Sequence, residues 1–186
     1  HPLLTFYSSH GFAHDGLDKY RFKTARVHKR RSYIGNTVKI KTKLDDDGLP
    51  YDNWGRIYET YADRMQMSAV RIYDNFPEDS HVDIITNDGD EIVAIERFGD
   101  FIFQFKTNKI YIIATGGGVH ALVDTLNMGI RHDTCCCLTP HGVCFFNKKG
   151  VYLHTGEGLA NISKANLDIS KFWYDELYYD TDYLIP

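Results

Sequence analysis

The sequence predicts an all-β fold in which short antiparallel strands form the four-stranded blades of a β-propeller. The first observation is compositional: 13 tyrosines and 11 phenylalanines occur among 186 residues, many of them beside isoleucine or valine in short runs. Such runs favour pleated, half-buried surfaces. Secondly, turn signals such as "NDGD", "FGD" and "NKKG" leave gaps too short for a crossover helix, which favours hairpins. The third observation is an internal repeat.

The repeat appears when "DFIFQFKTNKIYII" is aligned with "HGVCFFNKKGVYLH" at an offset of 41 positions. Ile102 then falls on Val143 and Tyr111 on Tyr152, so that the two segments match in pattern and in residue type. A period of about 41 residues made of short strands is the length of a four-stranded propeller blade. A β-sandwich is the alternative, but it has no reason to repeat at this spacing. We therefore expect about three blades, which further chain or further subunits would complete.

The aromatic and β-branched runs define ten predicted strands. They span residues 25–33, 38–43, 56–61, 69–73, 91–98, 101–105, 109–114, 134–138, 143–146 and 151–154. Helical signal is limited to "VHALVDTLNMG", with apolar residues at three-to-four spacing, and to a turn or two in "ANLDISKFWYDEL" after Asp168. The chain is thus predicted to be dominated by strands.

These elements divide the chain into five predicted segments. Residues 1–35 form an N-terminal segment with the first blade strands, and residues 36–64 hold a surface-loop insertion and a strand. Residues 65–115 form a blade, and residues 116–165 form a connection and a further blade. Residues 166–186 form a C-terminal segment that is predicted to hold a short helix.

Composition excludes several classes of protein. With 43% hydrophobic and 25% charged residues, the chain is typical of a soluble globular protein. Its longest apolar runs, such as "IYIIAT", fall far short of the roughly 20 residues of a membrane span, and no export leader is recognisable. A formal net charge of -4 disfavours a dedicated nucleic-acid binder. Four cysteines crowded into one short segment make a poor disulfide framework, so we expect a reducing site of synthesis.

The cysteine-rich stretch "HDTCCCLTPHGVCFF" raises the question of a metal site. Its candidate zinc ligands are Cys137, His141 and Cys144 with His132 or Cys135. The paired C-x2-C elements of a zinc knuckle are absent, and the repeat places Cys135, Cys136 and Cys137 on a blade strand. On a strand, Cys136 faces away from its two neighbours, so the three thiols cannot converge on one ion. We predict small buried side chains here, with a zinc protein as the alternative.

The register of this segment depends on its turn, "TPHG". A two-residue loop would set Cys137 opposite Cys144, whereas a three-residue loop with a glycine bulge would set Leu138 opposite Cys144. Both alternatives are compatible with the sequence.

Other motifs are interpreted as structural. "GGGVHA" has the G-x-G-x-x-A form of a dinucleotide fingerprint, but the acidic residue expected about 20 positions later is missing, and we interpret the glycines as a connection between blades. "DDDGLPYDNWG", from Asp45, and "NDGDEI", from Asn87, offer oxygen ligands for calcium without the spacing of a calcium loop. We therefore predict no cofactor and no metal, and we can assign no catalytic residue.

A basic strip in "RFKTARVHKRRSY" is the main candidate for interaction. We define the basic strip as Arg21, Lys23, Arg26, Lys29, Arg30 and Arg31. Interleaved aromatic residues would allow contact with nucleic acid, and a nucleic-acid binding module is a further alternative function. The strip could instead protect a strand edge or contact an acidic segment such as residues 168–182. We predict contact with another protein.

Four stretches resemble, in order, the β-propeller part of the nozzle, hub or stabilisation proteins in the tails of short-tailed bacteriophages. They are "ARVHKRRSYIGN", "ADRMQMSAV", "FPEDSHVDIITNDGDEIVAIERFGDFIFQFKTNKIYII" and "TPHGVCFFNKKGVYLHTGEG". The resemblance covers roughly residues 20–165. It is carried mainly by the aspartate-glycine turn, "GDFIF", "NKIYI" and "GVCFFNKKGVYLHTG", all of which are structural motifs.

The resemblance implies a non-enzymatic structural protein of the virion, assembled in the host cytoplasm. Several copies, as a hexamer in this family, would form a conduit that retains the genome and releases it on ejection. The implied partners are further copies of the chain and the neighbouring tail or portal proteins, with non-specific contact to passing DNA. The cysteine triplet has no counterpart in the family pattern.

Overall fold

A computed structural model of the chain describes residues 19–42, 56–77, 79–84 and 89–164. These residues form three four-stranded antiparallel sheets, and in each sheet neighbouring strands follow one another in the chain. The all-β prediction is confirmed. Sheet 1 contains β1 (Lys19–His28), β2 (Arg31–Thr42), β3 (Arg56–Met67) and β4 (His81–Val82). Sheet 2 contains β5 (Ile92–Phe98), β6 (Phe101–Lys106), β7 (Ile110–Ala114) and β8 (Ala121–Leu126). Sheet 3 contains β9 (Cys136–Thr139), β10 (Gly142–Asn147), β11 (Gly150–His154) and β12 (Leu159–Asn161).

Sheet 2 lies between the other two sheets, and its faces form two separate cores. One face contributes Ile102, Tyr111 and Ile113 to a cluster with residues of sheet 1, including Tyr33 and Met65. The other face packs on sheet 3. This second cluster unites Val93, Ala94, Phe103, Phe105, Ile110 and Ile112 with Cys136, Val143, Phe145 and Tyr152. A strand covered on both faces has no polar side to present, which explains the nearly continuous apolar run "FIFQF" in β6.

The 41-residue repeat is a structural repeat. In sheet 2, Gln104 of β6 pairs with Tyr111 of β7, and at the same offset Phe145 of β10 pairs with Tyr152 of β11. The preceding hairpin of each sheet also keeps the offset of 41 positions. Phe98 pairs with Phe101 in sheet 2, and the corresponding residues Thr139 and Gly142 pair in sheet 3. Three successive strands of sheets 2 and 3 therefore share one register.

Two predicted strands of sheet 1 are wrong. Residues 25–33 were expected to form one strand, but the chain reverses at Lys29 and Arg30, which both have positive φ, 43° and 64°. This pair of angles is typical of a two-residue type I′ hairpin turn, which joins β1 to β2. Residues 69–73 form turns with one isolated bridge between Ala69 and Ile72 instead of a strand.

The helix predicted at 119–129 is also wrong, because these residues contain strand β8 of sheet 2. The glycines before it, Gly116–Gly118, form a short 3₁₀ turn that joins β7 to β8 within one sheet, so they do not connect two blades. The predicted insertion begins as part of β2, and residues 43–55 lie outside the described residues. The helix expected after Asp168 also lies outside them.

Candidate interaction surfaces

The basic strip lies on β1, on the β1–β2 turn and on the first residue of β2, beside sheet 2, and most of its charges are engaged within the molecule. Lys23 Nζ lies 2.9 Å from Oε1 of Glu91, and Lys29 Nζ lies 2.7 Å from Oδ1 of Asp100. Arg31 donates from Nη1 to the carbonyl oxygen of Ser68 at 2.8 Å. The side chains of Arg21 and Arg30 are exposed, so that they form the outward-facing part of the strip.

Arg26, at the centre of the strip, joins sheet 1 to sheet 2. Its Nε donates to Oε1 of Glu96 at 2.8 Å, and its Nη2 donates to the same oxygen. The Glu96 side chain is only 4% exposed, whereas that of Arg26 is 45% exposed. The hydrogen bond to Glu96 raises the pKa of the Arg26 guanidinium further. A carboxylate buried to this extent requires a charged partner, so Arg26 has a structural role between sheets.

His28, next along the inner face of β1, is buried and linked to the β7–β8 turn. Its Nε2 lies 2.8 Å from Oγ1 of Thr115, and Thr115 Oγ1 donates to the carbonyl oxygen of Asp100, also at 2.8 Å. Because the hydroxyl gives its single hydrogen to Asp100, it accepts from His28, which must carry the proton on Nε2. Burial, followed by the positive charges of Lys29 and Arg97, lowers the pKa of His28 to about 4.

Tyr33 forms a second polar link between the sheets. Its buried hydroxyl lies 3.0 Å from Nε2 of His120, and the two rings contact each other in a tilted arrangement. Burial raises the pKa of Tyr33 and lowers that of His120. Both groups are therefore held in their neutral forms. Sequence reasoning placed Tyr33 among the aromatic residues interleaved with the basic strip and did not foresee its contact with His120.

The cysteine-rich stretch forms the β9–β10 hairpin of sheet 3. Thr139 pairs with Gly142 across a two-residue loop, and Cys137 stands directly opposite Cys144. The register question raised by the sequence is thus decided in favour of the two-residue loop. A Cβ on Gly142 would lie 2.1 Å from the carbonyl oxygen of His154, so only glycine fits at this position.

The thiols differ in their surroundings. Cys136 is buried and donates from Sγ to the carbonyl oxygen of Asp133 at 3.3 Å, and burial raises its pKa to about 12. Cys137 is exposed, while Cys135 and Cys144 are half-buried. Burial also raises the pKa of Cys144, with a further contribution from the neighbouring Cys137. As the strand pleat predicts, Cys136 and Cys137 face opposite sides of β9, but Cys135 lies in the 3₁₀ turn before the strand, and the prediction of small buried side chains holds in this triplet for Cys136 alone. No disulfide joins any of the four.

In the described part of the chain, the residues of the metal and nucleotide motifs are not arranged as a metal site or a dinucleotide site requires. Within it, no group of three or more His, Cys, Asp or Glu residues is placed to hold an ion. The calcium candidate from Asp45 lies outside the described residues. In the second candidate, the Asp90 carboxylate accepts from the backbone amides of Thr107 and Asn108 at 3.0 and 2.8 Å, which stabilises the β6–β7 turn. The glycine motif is followed by a strand, whereas a dinucleotide site requires a helix there.

The outer face of sheet 3 is the surface that sequence reasoning missed. Directly opposed residues share a face, so Cys137, Cys144, Leu153 and Ala160 form a row across the four strands on the side away from sheet 2. Val151 belongs to the same face. None of the three sheets in the described part of the chain covers this row. Cys144, Val151 and Leu153 are half-buried, whereas Ala160 is exposed.

The repeat shows why this face matters. At an offset of 41 positions, Val151 and Leu153 correspond to Ile110 and Ile112, which are completely or almost completely buried against sheet 3. The sequence therefore contained a signal for this surface. Val151 and Leu153 are apolar, and the equivalent positions in the preceding repeat face the next sheet.

No protein-family model matches the chain, and no curated protein matches it in sequence. The resemblance to phage tail proteins therefore stays a prediction. Within the part of the chain that the structure describes, no helix has the length and apolar character needed to cross a membrane.

Proposed function

We propose that the chain is a non-enzymatic structural protein of a phage tail, in which it forms part of the wall of the conduit that retains and releases the genome. Its partners are further copies of the chain and the adjoining tail or portal proteins. The observation that carries the proposal is the stacking of three four-stranded sheets, two of which share the 41-residue repeat, with an outermost apolar face that has no further sheet on it in the described residues.

The arrangement of the sheets supports a propeller-type architecture. Each sheet is a simple meander, and successive sheets pack face to face in chain order. The first strands lie side by side: β5 contacts β1 on one side and β9 on the other. In a propeller, the innermost strands of neighbouring blades are adjacent in this way, around a central channel. Three blades do not close such a ring, so an assembly of this kind requires more sheets than these three.

Self-association through the outer face of sheet 3 follows from the repeat. Sheet 2 buries Ile110 and Ile112 by packing on the next sheet, and Val151 and Leu153 present equivalent apolar surface on sheet 3. A partner sheet with an apolar face would remove this surface from water, which is the main favourable contribution to association. Arg21 and Arg30 lie elsewhere, on sheet 1, and are suited to an acidic partner surface.

Substitution of Leu153 tests the contact. Leu153→Arg places a charge on the outer face of sheet 3 and should raise the dissociation constant for self-association by at least about tenfold, which corresponds to roughly 1.4 kcal/mol. Sedimentation velocity at several protein concentrations measures the change. Val123→Arg, at another exposed apolar position on an outer strand, is the matched control and should leave association unchanged.

Electron microscopy of tail particles tests the wider proposal. Particles that contain the chain should show it in repeated copies around the conduit. A chain that is absent from particles, remains monomeric at all concentrations and turns over a small substrate would contradict the proposal.

A further inference from the structure

Cys137 and Cys144 are placed to react with each other. They are directly opposed on β9 and β10, and their side chains share the outer face of sheet 3. In a two-residue hairpin the pair that flanks the loop is hydrogen-bonded, and pairs of this type recur at every second residue. The Cys137–Cys144 pair is of this type, with an expected Cα separation of about 5.5 Å, inside the range of about 4.4–6.8 Å that disulfides span.

The other two cysteines are not placed in this way. Cys136 stands opposite Phe145 on the buried face of the sheet, and its thiol is engaged by the carbonyl oxygen of Asp133. Cys135 precedes β9, in a 3₁₀ turn. Consecutive residues on a strand point to opposite faces, which separates Cys136 from Cys137. One pair among the four cysteines therefore combines opposition, a shared face and access to solvent, since Cys137 is exposed.

We propose that Cys137 and Cys144 form a reversible redox site, a dithiol that is converted to a cross-strand disulfide by a low-molecular-weight disulfide of the glutathione type. The site depends on the register of one hairpin, and we expect it to react in the unassociated chain, because the self-association proposed above would cover the outer face of sheet 3 on which both cysteines lie.

Two exchange steps account for all atoms and electrons. The Cys137 thiolate attacks one sulfur of the small disulfide, forming a mixed disulfide and releasing one small thiolate. The Cys144 thiolate then attacks the Cys137 sulfur, forming the internal disulfide and releasing the second small thiolate. The two protein thiols lose two electrons and two protons, and the small disulfide gains both to give two thiols. Since burial raises the pKa of Cys144, the second step should accelerate as the pH rises.

Oxidised glutathione, added to the folded chain, tests the proposal. Intact mass and tandem mass spectrometry after alkylation should show one internal disulfide between Cys137 and Cys144, with Cys135 and Cys136 still alkylated. Dithiothreitol should restore all four thiols. An oxidised chain that keeps a stable glutathione adduct without an internal bond would overturn the proposal, as would disulfides that involve Cys135 or Cys136.

Variants separate the two steps. Cys144→Ser should halt the reaction at a stable glutathione adduct on Cys137, because the second nucleophile is missing. In the double variant Cys135→Ser/Cys136→Ala only the proposed pair of cysteines remains. Oxidised glutathione should convert this pair to the internal disulfide, as in the original chain. Far-ultraviolet circular dichroism confirms that each variant is folded. If Cys144→Ser formed an internal disulfide as readily as the original chain, the assignment of the pair would be wrong.

Discussion

Arg26, His28 and Tyr33 show how single side chains fix the packing of sheet 1 on sheet 2. All three project from β1 or β2 towards the second sheet, where they contact Glu96, Thr115 and His120 respectively. Each contact pairs polar groups that are at least partly withdrawn from water, so breaking one would leave a buried group without its partner. The interface between the two sheets is therefore specified by polar contacts as well as by its apolar core.

His28 makes the stability of the fold sensitive to acid. Its pKa is about 4 in the folded chain, below the ordinary value near 6.5, so between these pH values the unfolded chain binds more protons. The contribution of neutral, buried His28 to the unfolding free energy is fully present above about pH 6.5, and it is lost as the pH decreases from there through 4. For this residue the loss should reach roughly 3 kcal/mol. The lowered pKa values of His120 and His154 act in the same direction.

Urea unfolding between about pH 7 and pH 4 measures this effect. His28→Gln keeps a nitrogen donor for Thr115 but cannot be protonated in this range, so the variant should lose less stability on acidification than the original chain. Equal slopes of unfolding free energy against pH in the two proteins would show that His28 is not buried in its neutral form.

Among the strands and turns, agreement between sequence and structure depends on where each element obtains its stability. Strands β5, β6, β7, β10 and β11 follow the predicted positions closely, because their β-branched and aromatic runs are separated by recognisable turns. β8 was missed because its residues are largely exposed and carry no alternating pattern; it exists through pairing with β7. The β1–β2 turn was missed because Lys29 and Arg30 occupy positions where glycine or asparagine usually signals positive φ.

The candidate surfaces were also predictable to different degrees, because some depend on local sequence and others on contacts between distant segments. The opposition of Cys137 and Cys144 is local, and the sequence already contained it as one of two registers. The pairing of Arg26 with Glu96 joins residues 70 positions apart and depends on how two sheets pack, which no local pattern records. For this reason the basic strip could be recognised as charged, but not as largely engaged within the molecule.

Gly142 connects the cysteine hairpin to the rest of sheet 3, and its substitution tests that connection. In Gly142→Ala the new Cβ would lie 2.1 Å from the carbonyl oxygen of His154, forcing β10 away from β11 where Val143 pairs with His154. We expect a loss of about 1–3 kcal/mol in unfolding free energy, measured by chemical denaturation.

Gly158→Ala is the control, because no atom lies within 4 Å of the position that its Cβ would occupy. It should change the unfolding free energy by no more than about 0.5 kcal/mol. If both variants unfolded at the same denaturant concentration as the original chain, the close approach of β10 to β11 at Gly142 would be refuted.

In the molecule as a whole, stacking of the sheets determines which copy of the repeat is essential for folding. Ile112 and Leu153 occupy equivalent positions of the repeat, but Ile112 is 2% exposed between sheets 2 and 3, whereas Leu153 is half-buried on the outer face of sheet 3. Removing a side chain from a filled core leaves a cavity, while truncating a partly exposed one removes less buried area. The two positions therefore separate folding from association.

Ile112→Ala should lower the unfolding free energy of the isolated chain by about 2–5 kcal/mol, because the cavity would lie between two sheets. Leu153→Ala should cost less than half as much in the isolated chain, as measured by denaturation at low protein concentration. At high protein concentration the difference between the two losses of unfolding free energy should become smaller. Association through the outer face of sheet 3 then buries Leu153 as stacking buries Ile112, so the stability depends on protein concentration. A cost for Leu153→Ala that stays constant over the whole concentration range would show that no partner sheet covers that face.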